Sequence, residues 1–172
     1  IGGLNGTKGN EVTVVGGKFG NALQFSGSNT NSRVSFGTDS RKNFDGVFSV
    51  SLWIKRTSNS GTQYILGNKS GSNNAGYYFR MSNNNNKRFT VKGTTQERNR
   101  DVVNAWNAQS WHHIVNVFNG NAINTGMRWR IYADGVQKDQ NNIPKIENAS
   151  ADLRIGERSW GSGNRFIGLL DD

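Results

Sequence analysis

The chain has 172 residues, of which 21 are Lys or Arg and 12 are Asp or Glu, so its formal net charge is +9 at pH 7. It contains no cysteine, which excludes disulfides, thiolate metal sites and cysteine nucleophiles. No apolar run approaches the roughly 20 residues that a membrane-spanning helix requires, so we expect no membrane insertion. The basic charge favours anionic partners, whereas the small number of carboxylates argues against a calcium-rich domain.

Short β-rich or alternating stretches, separated by Gly, Asn, Ser and Asp clusters, recur along the whole sequence, and helical periodicity is nearly absent. Twelve stretches are predicted as strands: Glu11–Val15, Asn21–Ser26, Arg33–Phe36, Phe48–Thr57, Gln63–Asn68, Tyr77–Ser82, Arg88–Gly93, Trp111–Phe118, Met127–Ala133, Val136–Lys138, Leu153–Gly156 and Arg165–Leu170. This pattern predicts an all-β fold, and the number of short strands favours two packed sheets.

Two of these stretches carry the clearest local signals. Phe48–Lys55 alternates strictly, which places Trp53 on the face opposite to the apolar residues. Asp134-Gly135 lies between two alternating segments and supplies the positive φ angles of a tight hairpin turn. In contrast, Arg98–Asn107 is predicted as a loop with one helical turn, and the polar run Asn83–Asn86 as an exposed loop tip.

Several segments in a fixed order together resemble one known family. They are Gly17–Gly27, Phe48–Lys55, Trp111–Val115 with Asn119-Gly120, Ile131–Gly135, Leu153–Gly156 and Phe166–Asp172. The spaced pattern resembles the laminin-G-like, pentraxin-like branch of the concanavalin A-like lectin and glucanase superfamily. The resemblance implies a two-sheet antiparallel β-sandwich of jelly-roll type, forming a single domain over residues 1–172. In that family the strand with the final acidic pair usually continues, so we expect a longer parent protein.

The acidic residues do not have the spacing that glycoside hydrolysis requires. Retaining glucanases of this superfamily carry a Glu-x-Asp-x-x-Glu strand whose carboxylates flank the scissile bond, and this chain has no such motif. The nearest acidic pairs, Glu97 with Asp101 and Glu147 with Asp152, fall in predicted loops. His112 and His113 are the only histidines, and adjacent residues on a strand point to opposite faces, so they cannot form a catalytic or metal-binding pair. We expect a protein without enzymatic activity.

Glycan recognition uses aromatic faces that stack on sugar rings, with guanidinium and amide groups beside them. Trp106 and Trp160 lie in polar segments rich in Gly or Asn, and Tyr77 or Tyr78 begins a strand beside a loop. Three arginines surround Trp160 in the sequence, namely Arg154, Arg158 and Arg165. This neighbourhood is the predicted site for an anionic glycan, and the alternative for each residue is a structural role or a solvated rim.

A calcium site is implied by the resemblance alone. Many relatives bind one ion with oxygen ligands near the chain ends, which implies Asp171 and Asp172 as ligands here. The supporting acidic residue near the N-terminus is missing, and Asn5, Asn10 or backbone carbonyls are the neutral oxygen ligands that would replace it, with weaker affinity.

The expected function is a non-catalytic carbohydrate-binding or adhesion domain of an extracellular, cell-surface or virion-surface protein. The alternative is a structural or decorating module whose loops and sheet edges contact neighbouring subunits of a virion, fibre or surface assembly. A nucleic-acid-binding protein is suggested only by the charge, because the aromatic residues do not interleave with Lys and Arg as they do in nucleic-acid-binding folds. No specific nucleic-acid partner is therefore expected.

Overall fold

The computed structural model describes residues 5–28, 31–39, 46–71, 75–82, 87–92, 97–102, 109–120, 129–141 and 146–172. Fourteen strands lie in these ranges: β1 (Thr7–Lys8), β2 (Val12–Gly16), β3 (Asn21–Phe25), β4 (Val34–Ser35), β5 (Val47–Arg56), β6 (Gln63–Gly67), β7 (Gly76–Met81), β8 (Lys87–Lys92), β9 (Glu97–Val102), β10 (His112–Asn119), β11 (Trp129–Ala133), β12 (Val136–Asn141), β13 (Arg154–Ile155) and β14 (Gly168–Asp171). Within the same ranges no helix is long and apolar enough to cross a membrane.

The strands form two antiparallel sheets of seven strands each. The first sheet has the order β1-β4-β13-β6-β7-β8-β9, and the second has the order β12-β11-β10-β5-β14-β3-β2. The longest pairing joins β5 to β10 over eight residue pairs, from His112 opposite Ile54 to Asn119 opposite Val47. Because neighbours in space are often distant in sequence, the chain crosses repeatedly between the sheets, as in a jelly roll.

The hydrophobic core lies between the sheets and follows from the period-2 alternation of their strands. From the first sheet it includes Ile65, Tyr77, Phe79 and Met81, and from the second Ile54, Ile114, Phe118, Trp129 and Ile131. Large rings fill much of this space, since six aromatic side chains are among the largest fully buried ones: Phe25, Tyr77, Phe79, Phe118, Trp129 and Phe166. The predicted all-β, two-sheet antiparallel sandwich is confirmed.

All twelve predicted strands have counterparts, and the main error concerns β9. The loop with one helical turn that was predicted over Arg98–Asn107 is wrong for its first half, because β9 pairs with β8 from Glu97 to Val102. Five of the six residues of β9 are polar or charged, which suits an edge strand and hides it from a search for apolar alternation. The predicted loop tip Asn83–Asn86 lies outside the described residues.

The hairpin between β11 and β12 is confirmed at its turn. Asp134 and Gly135 have φ angles of 52° and 76°, the left-handed values of a type I′ turn. The Asp134 carboxylate also accepts the backbone N–H of His113 at 2.9 Å and lies 2.8 Å from Nδ1 of His112. Burial alone raises the pKa of Asp134, but the hydrogen bonds from the two histidines outweigh it and hold this pKa below its usual value.

A cavity of about 480 Å³ opens between the sheets near the end of β14. β14 pairs with β5 only over Trp53 to Arg56, although β5 begins at Val47. Val50 and Leu52 of β5 are half-buried, and they line the cavity. Its lining is mainly apolar, which distinguishes it from a sugar site, where several polar groups converge.

Candidate functional site

The connection from β13 to β14, residues 156–167, carries most of the candidate site. It begins at Gly156, whose φ is 85°. A Cβ atom at this position would lie 2.4 Å from the ring of Phe25, so there is no room for a side chain. Two backbone hydrogen bonds fix this turn, from Gly156 N to Ile65 O and from Phe166 N to Gly156 O, both 2.8 Å. The loop is therefore anchored against β6 before it projects outwards.

Glu157 is the centre of an ion-pair network beneath this loop. Its side chain is 0% exposed and contacts three arginines: Nη2 of Arg165 at 2.7 Å, Nη1 of Arg33 at 3.1 Å and Nη1 of Arg154 at 3.4 Å. The N–H of Gly163 donates to the same carboxylate at 3.3 Å. A buried carboxylate is tolerated only when such partners compensate its lost hydration, so Glu157 organises the arginines around it.

Asp152 extends this arrangement, which we call the arginine network: Arg33, Asp152, Arg154, Glu157 and Arg165. Nε of Arg154 donates to Asp152 at 2.8 Å, and the hydroxyl of Ser35 lies 2.8 Å from both carboxylate oxygens. Nη1 of Arg154 also donates to the carbonyls of Arg158 and Gly161, both at 3.2 Å. Arg154 and Arg165 thus hold the loop in shape rather than offering a free cation to solvent.

Arg158 differs from its neighbours because it takes part in no ion pair among the described residues. Its Nη2 donates to the carbonyl of Ser162, and its guanidinium lies beside Gly161. With Arg158 included, four arginines face two carboxylates in this part of the described structure. The loop therefore carries an excess of positive charge, and Arg158 is its partly exposed source.

Trp160 lies in the same loop at the centre of an aromatic group, the Trp160 cluster, formed by Tyr64, Lys69, Tyr78 and Trp160. The Trp160 ring is 5.2 Å from Tyr64, almost perpendicular to it, and 5.4 Å from Tyr78. Nζ of Lys69 lies 4.5 Å from the Trp160 ring centroid. Tyr64, Tyr78 and Lys69 are buried while Trp160 is partly exposed, so Trp160 presents an immobilised aromatic surface.

The structure places the predicted site residues in different environments. Arg154, Arg158, Arg165 and Trp160 do gather in and around one loop, where the arginine network holds two of the three arginines. Tyr77 instead is 1% exposed and packs against Phe48 in the core, where burial raises the pKa of its hydroxyl. Its neighbour Tyr78 points outwards and joins the Trp160 cluster. Trp106 lies outside the described residues.

Sequence reasoning missed Glu157, Arg33, Tyr64 and Lys69, which complete the two groups. Lys69 and Tyr64 come from β6 and the segment after it, about 90 residues before the loop, where the hydroxyl of Ser159 donates to the carbonyl of Lys69 at 2.8 Å. An acidic residue within a run of arginines was the only local signal for Glu157. Arg33, Tyr64 and Lys69 are distant from the loop in sequence, so only the fold shows that they contact it.

The predicted calcium ligands lie at the end of β14. Oδ2 of Asp171 accepts the N–H groups of Lys18 and Phe19 at 2.6 and 2.9 Å, and Oδ1 accepts that of Asp172 at 2.9 Å. The hydrogen bond from Phe19, opposed by burial, is the main cause that holds the pKa of Asp171 below its usual value. Both oxygens of Asp171 are thus engaged, and the described residues contain no group of three or more His, Cys, Asp or Glu that could hold a metal. Calcium binding at Asp171 and Asp172 stays a prediction.

The two histidines bind separate partners. His112 contacts Asp134, while Nε2 of His113 lies 2.9 Å from the hydroxyl of Ser51. Ser51 and His113 are at the distance of a nucleophile and its base, but the carboxylate near them, that of Asp134, contacts the backbone N–H of His113 and the ring of His112 instead. A third group that orients the His113 ring, as in a catalytic triad, is therefore not supplied by Asp134.

A two-sheet antiparallel sandwich with partly exposed aromatic and cationic groups on its loops is the architecture of a lectin-like domain. The sequence matches a family model of laminin G type, described as the concanavalin A-like lectin/glucanases superfamily, over residues 9–172. The chain belongs to this superfamily. No curated protein matches it in sequence.

Solved structures share this fold at low sequence identity. The binding domain of Paraclostridial Mosquitocidal Protein 1 superposes with a TM-score of 0.73 at 16% identity, covering 98% of this chain and 42% of that one. Domain 4 of AbnA, a GH43 extracellular arabinanase from Geobacillus stearothermophilus, in complex with arabinotriose, gives 0.67 at 21% identity, covering 96% and 79%. The CBM40 of Ruminococcus gnavus IT-sialidase, bound to α2,3 sialyllactose, gives 0.63 at 14% identity, covering 99% and 91%. The chain thus spans less than half of the mosquitocidal binding domain, and these likenesses establish the fold.

Proposed function

We propose that this domain is a non-catalytic glycan-binding module and that the Trp160 cluster, with Arg158 beside it, is its binding surface. Membership of the superfamily supports a carbohydrate ligand but does not select one, since the same fold serves many functions. Two of the similar structures have a bound sugar, arabinotriose in one and α2,3 sialyllactose in the other. A third similar structure is that of botulinum neurotoxin type C, whose cell entry depends on interaction with two ganglioside molecules.

The observation that carries the proposal is the immobilised, partly exposed ring of Trp160. Two buried tyrosines pack at 5.2 and 5.4 Å from it, so the ring loses little conformational freedom when a sugar stacks on it. The C–H groups of a pyranose or furanose ring cover such a surface, and neighbouring polar groups set the orientation. A single anchored aromatic residue of this kind typically dominates the affinity of a small site.

The charge around the cluster favours acidic glycans. Lys69 lies over the Trp160 ring, and Arg158 has no carboxylate partner among the described residues. A guanidinium binds a carboxylate or sulfate in bidentate fashion, and the net charge of +9 attracts such ligands over a longer range. We therefore place acidic sugars ahead of neutral ones.

The absence of catalysis is part of the proposal and has its own support. Asp152 and Glu157, the carboxylates nearest to Trp160 in sequence, are both bound to arginines. Hydrolysis needs one carboxylic acid to donate a proton and a second carboxylate to act as nucleophile or base. Arginine partners keep both carboxylates ionised, and Glu157 is fully buried, so neither is suited to donate the proton that hydrolysis needs. In this proposal the domain acts outside the cell, as part of a secreted or surface-exposed protein.

A glycan array tests the proposal with the wild-type domain, Trp160→Ala and Tyr132→Ala, each at low and near-physiological salt. Tyr132 is a partly exposed aromatic residue on β11 of the second sheet and is the matched control. We expect selective binding by the wild type and the control, and at least a 10-fold loss for Trp160→Ala, equivalent to about 1.4 kcal/mol.

Other outcomes discriminate among the alternatives. Binding to every polyanion at low salt only would leave the net charge as the cause and contradict a specific site. Lack of all binding, together with self-assembly in native mass spectrometry, would favour the structural module. Addition of EDTA tests whether glycan binding depends on calcium, because a loss of binding that calcium restores would show that a bound ion supports the site, and unchanged binding would show that the site does not need one.

A further inference from the structure

The second sheet carries an aromatic and cationic surface that the proposed function does not use. We call it the Phe19 patch: Lys18, Phe19, Ser51, Trp53 and His113. Phe19 stands at the turn between β2 and β3 and is 61% exposed. Its ring is 5.5 Å from Trp53 in an edge-to-face arrangement, and Trp53 stacks on His113 at 5.0 Å with 29° between the planes.

The exposed ring of Phe19 is held in place by the backbone. The N–H groups of Lys18 and Phe19 both donate to Oδ2 of Asp171, at 2.6 and 2.9 Å. The turn closes through a hydrogen bond of 3.0 Å from Gly17 N to Gly20 O. Asp171 is only 7% exposed and lies on β14, opposite Trp53 of β5. The turn is thus tied to the centre of the sheet, which keeps Phe19 next to Trp53.

A positive charge and hydrogen-bonding groups accompany these rings. Nζ of Lys18 lies 5.2 Å from the ring centroid of Trp53 and 5.9 Å from that of Phe19. On the other side of Trp53, Nε2 of His113 is 2.9 Å from the hydroxyl of Ser51. An apolar face, a cation and a polar pair therefore meet on one outward surface of β5 and β10.

An exposed aromatic ring costs free energy in water, and a mobile side chain would fold back onto the sheet to reduce that cost. Here the Phe19 ring packs only edge to face against Trp53, and Phe19 stays 61% exposed. A small group of partly exposed rings beside a cation suits a ligand with an apolar face and an acidic group, rather than the continuous apolar area of a protein interface. The charge of +9 is complementary to such a ligand.

We propose that the Phe19 patch is a second glycan-binding site, specific for sugars that carry a carboxylate, such as uronic or sialic acids. The sugar ring packs on Phe19 and the exposed part of Trp53, its carboxylate pairs with Lys18, and its hydroxyls bond to Ser51 and His113. This inference rests on the proposed function, because it assumes that the domain binds glycans.

The two sites lie on opposite sides of the sandwich. Tyr78 of the Trp160 cluster alternates with the core residues Tyr77 and Phe79, so it faces outwards from the first sheet. Trp53 alternates with the core residue Ile54 and faces outwards from the second sheet. Two opposed sites allow one domain to bridge two polysaccharide chains and to gain avidity for a multivalent surface.

NMR titration tests the site directly, because the chain has only two histidines. The probes are 3′-sialyllactose and tetragalacturonate, with neutral maltotetraose for comparison, and the protein carries Trp160→Ala to remove the first site. We expect either acidic probe to shift the ring signals of His113 and not those of His112, and maltotetraose to shift neither. Phe19→Ala in the same background should abolish the shift, and Lys18→Gln should weaken binding at least threefold.

Matched controls separate the site from general effects. Val47→Ala removes an apolar side chain of nearly equal exposure, 62%, and Lys138→Gln removes an exposed lysine of β12. Both should leave the His113 shift unchanged, and circular dichroism confirms the fold of each variant. If binding survives in Trp160→Ala but Phe19→Ala does not reduce it, the inference is overturned.

Different experimental results would refute this inference and the proposed function. Wild-type binding that Trp160→Ala abolishes and Phe19→Ala leaves intact refutes only the second site. No binding of any glycan by the wild type refutes both. Concentration-dependent dimerisation that Phe19→Ala prevents, seen by sedimentation without sugar, would assign the patch to protein contact and overturn the inference.

Discussion

The Trp160 cluster and the Phe19 patch combine the same elements, a partly exposed aromatic ring and a nearby cation, but they are held in different ways. Beneath the loop of the first, the buried Glu157 binds three guanidinium groups, two from its own segment of the chain, Arg154 and Arg165, and one from a distant part, Arg33. Beneath the second, the buried Asp171 binds two consecutive backbone N–H groups of one turn. A carboxylate that binds several side-chain cations can hold a long irregular loop in shape. A carboxylate that accepts neighbouring backbone N–H groups holds only the tight turn that donates them.

Removing the charge of Glu157 should have the largest effect on stability. Glu157→Gln leaves three arginines without their shared anion inside the protein, and breaking a buried ion pair typically costs about 3–5 kcal/mol. For a chain of this size, that lowers Tm by roughly 10 °C, at about 2–4 °C per kcal/mol. Thermal and urea denaturation measure the change, with Glu147→Gln as the control outside the network. A shift below about 2 °C, the value expected for less than one kcal/mol, would contradict the central role of Glu157.

Asp171→Asn should have a smaller effect, because the amide oxygen still accepts a hydrogen bond. We expect a loss of about 1 kcal/mol, the typical value of one hydrogen bond. The pKa of Asp171 is below its usual value of 3.8 in the folded protein, so its stabilising contribution is present above that value and disappears as the pH falls through the folded pKa. The variant should therefore lose less stability than the wild type between about pH 5 and about pH 2.5.

Denaturant titrations of both proteins at the two pH values test this difference. Asp139→Asn, on β12, is the control for removing a carboxylate elsewhere. Equal acid sensitivity of the wild type and Asp171→Asn would show that Asp171 does not clamp the turn in solution. It would also remove the basis for a fixed position of Phe19.

Arg158→Gln should have the smallest effect on stability, within about 0.5 kcal/mol, because this arginine lies at the surface and outside the ion-pair network. Binding of acidic glycans should fall about 3- to 10-fold and become less dependent on salt, since the cation that faces the ligand is lost. Arg130→Gln changes the net charge equally and serves as the control. Equal losses in both variants would attribute binding to net charge rather than to Arg158.

The adjacent residues Tyr77 and Tyr78 show what the sequence predicts and what it leaves open. Alternation in the segment Tyr77–Ser82 requires that Tyr77 and Tyr78 face opposite ways, but it does not say which of them is buried. The structure places Tyr77 in the core and Tyr78 beside Trp160. The choice depends on the opposite sheet, where Phe48 contacts Tyr77.

The arginines near Trp160 illustrate the same limit for the site. Their proximity in sequence predicted a cationic neighbourhood, and the loop does contain one. The role of each arginine depends on its partners in the fold. Glu157, Asp152 and the backbone carbonyls of the loop bind Arg154 and Arg165, whereas Arg158 has no carboxylate partner among the described residues. A count of charges in a segment does not reveal which charges are already paired.

The sequence alone determined the all-β class, most strands and the Asp134-Gly135 turn, because alternation and positive φ angles depend on residues that are adjacent along the chain. The number of short strands favoured two packed sheets, and the resemblance of spaced segments added their antiparallel jelly-roll arrangement. Only the tertiary structure decided that β9 pairs with β8, that Glu157 gathers three arginines, and that Asp171 holds Phe19 beside Trp53. The contacts of Glu157 with Arg33 and of Asp171 with the turn at Phe19 join residues that are far apart along the chain, and β9 is mainly polar, so apolar alternation along the chain encodes none of these features.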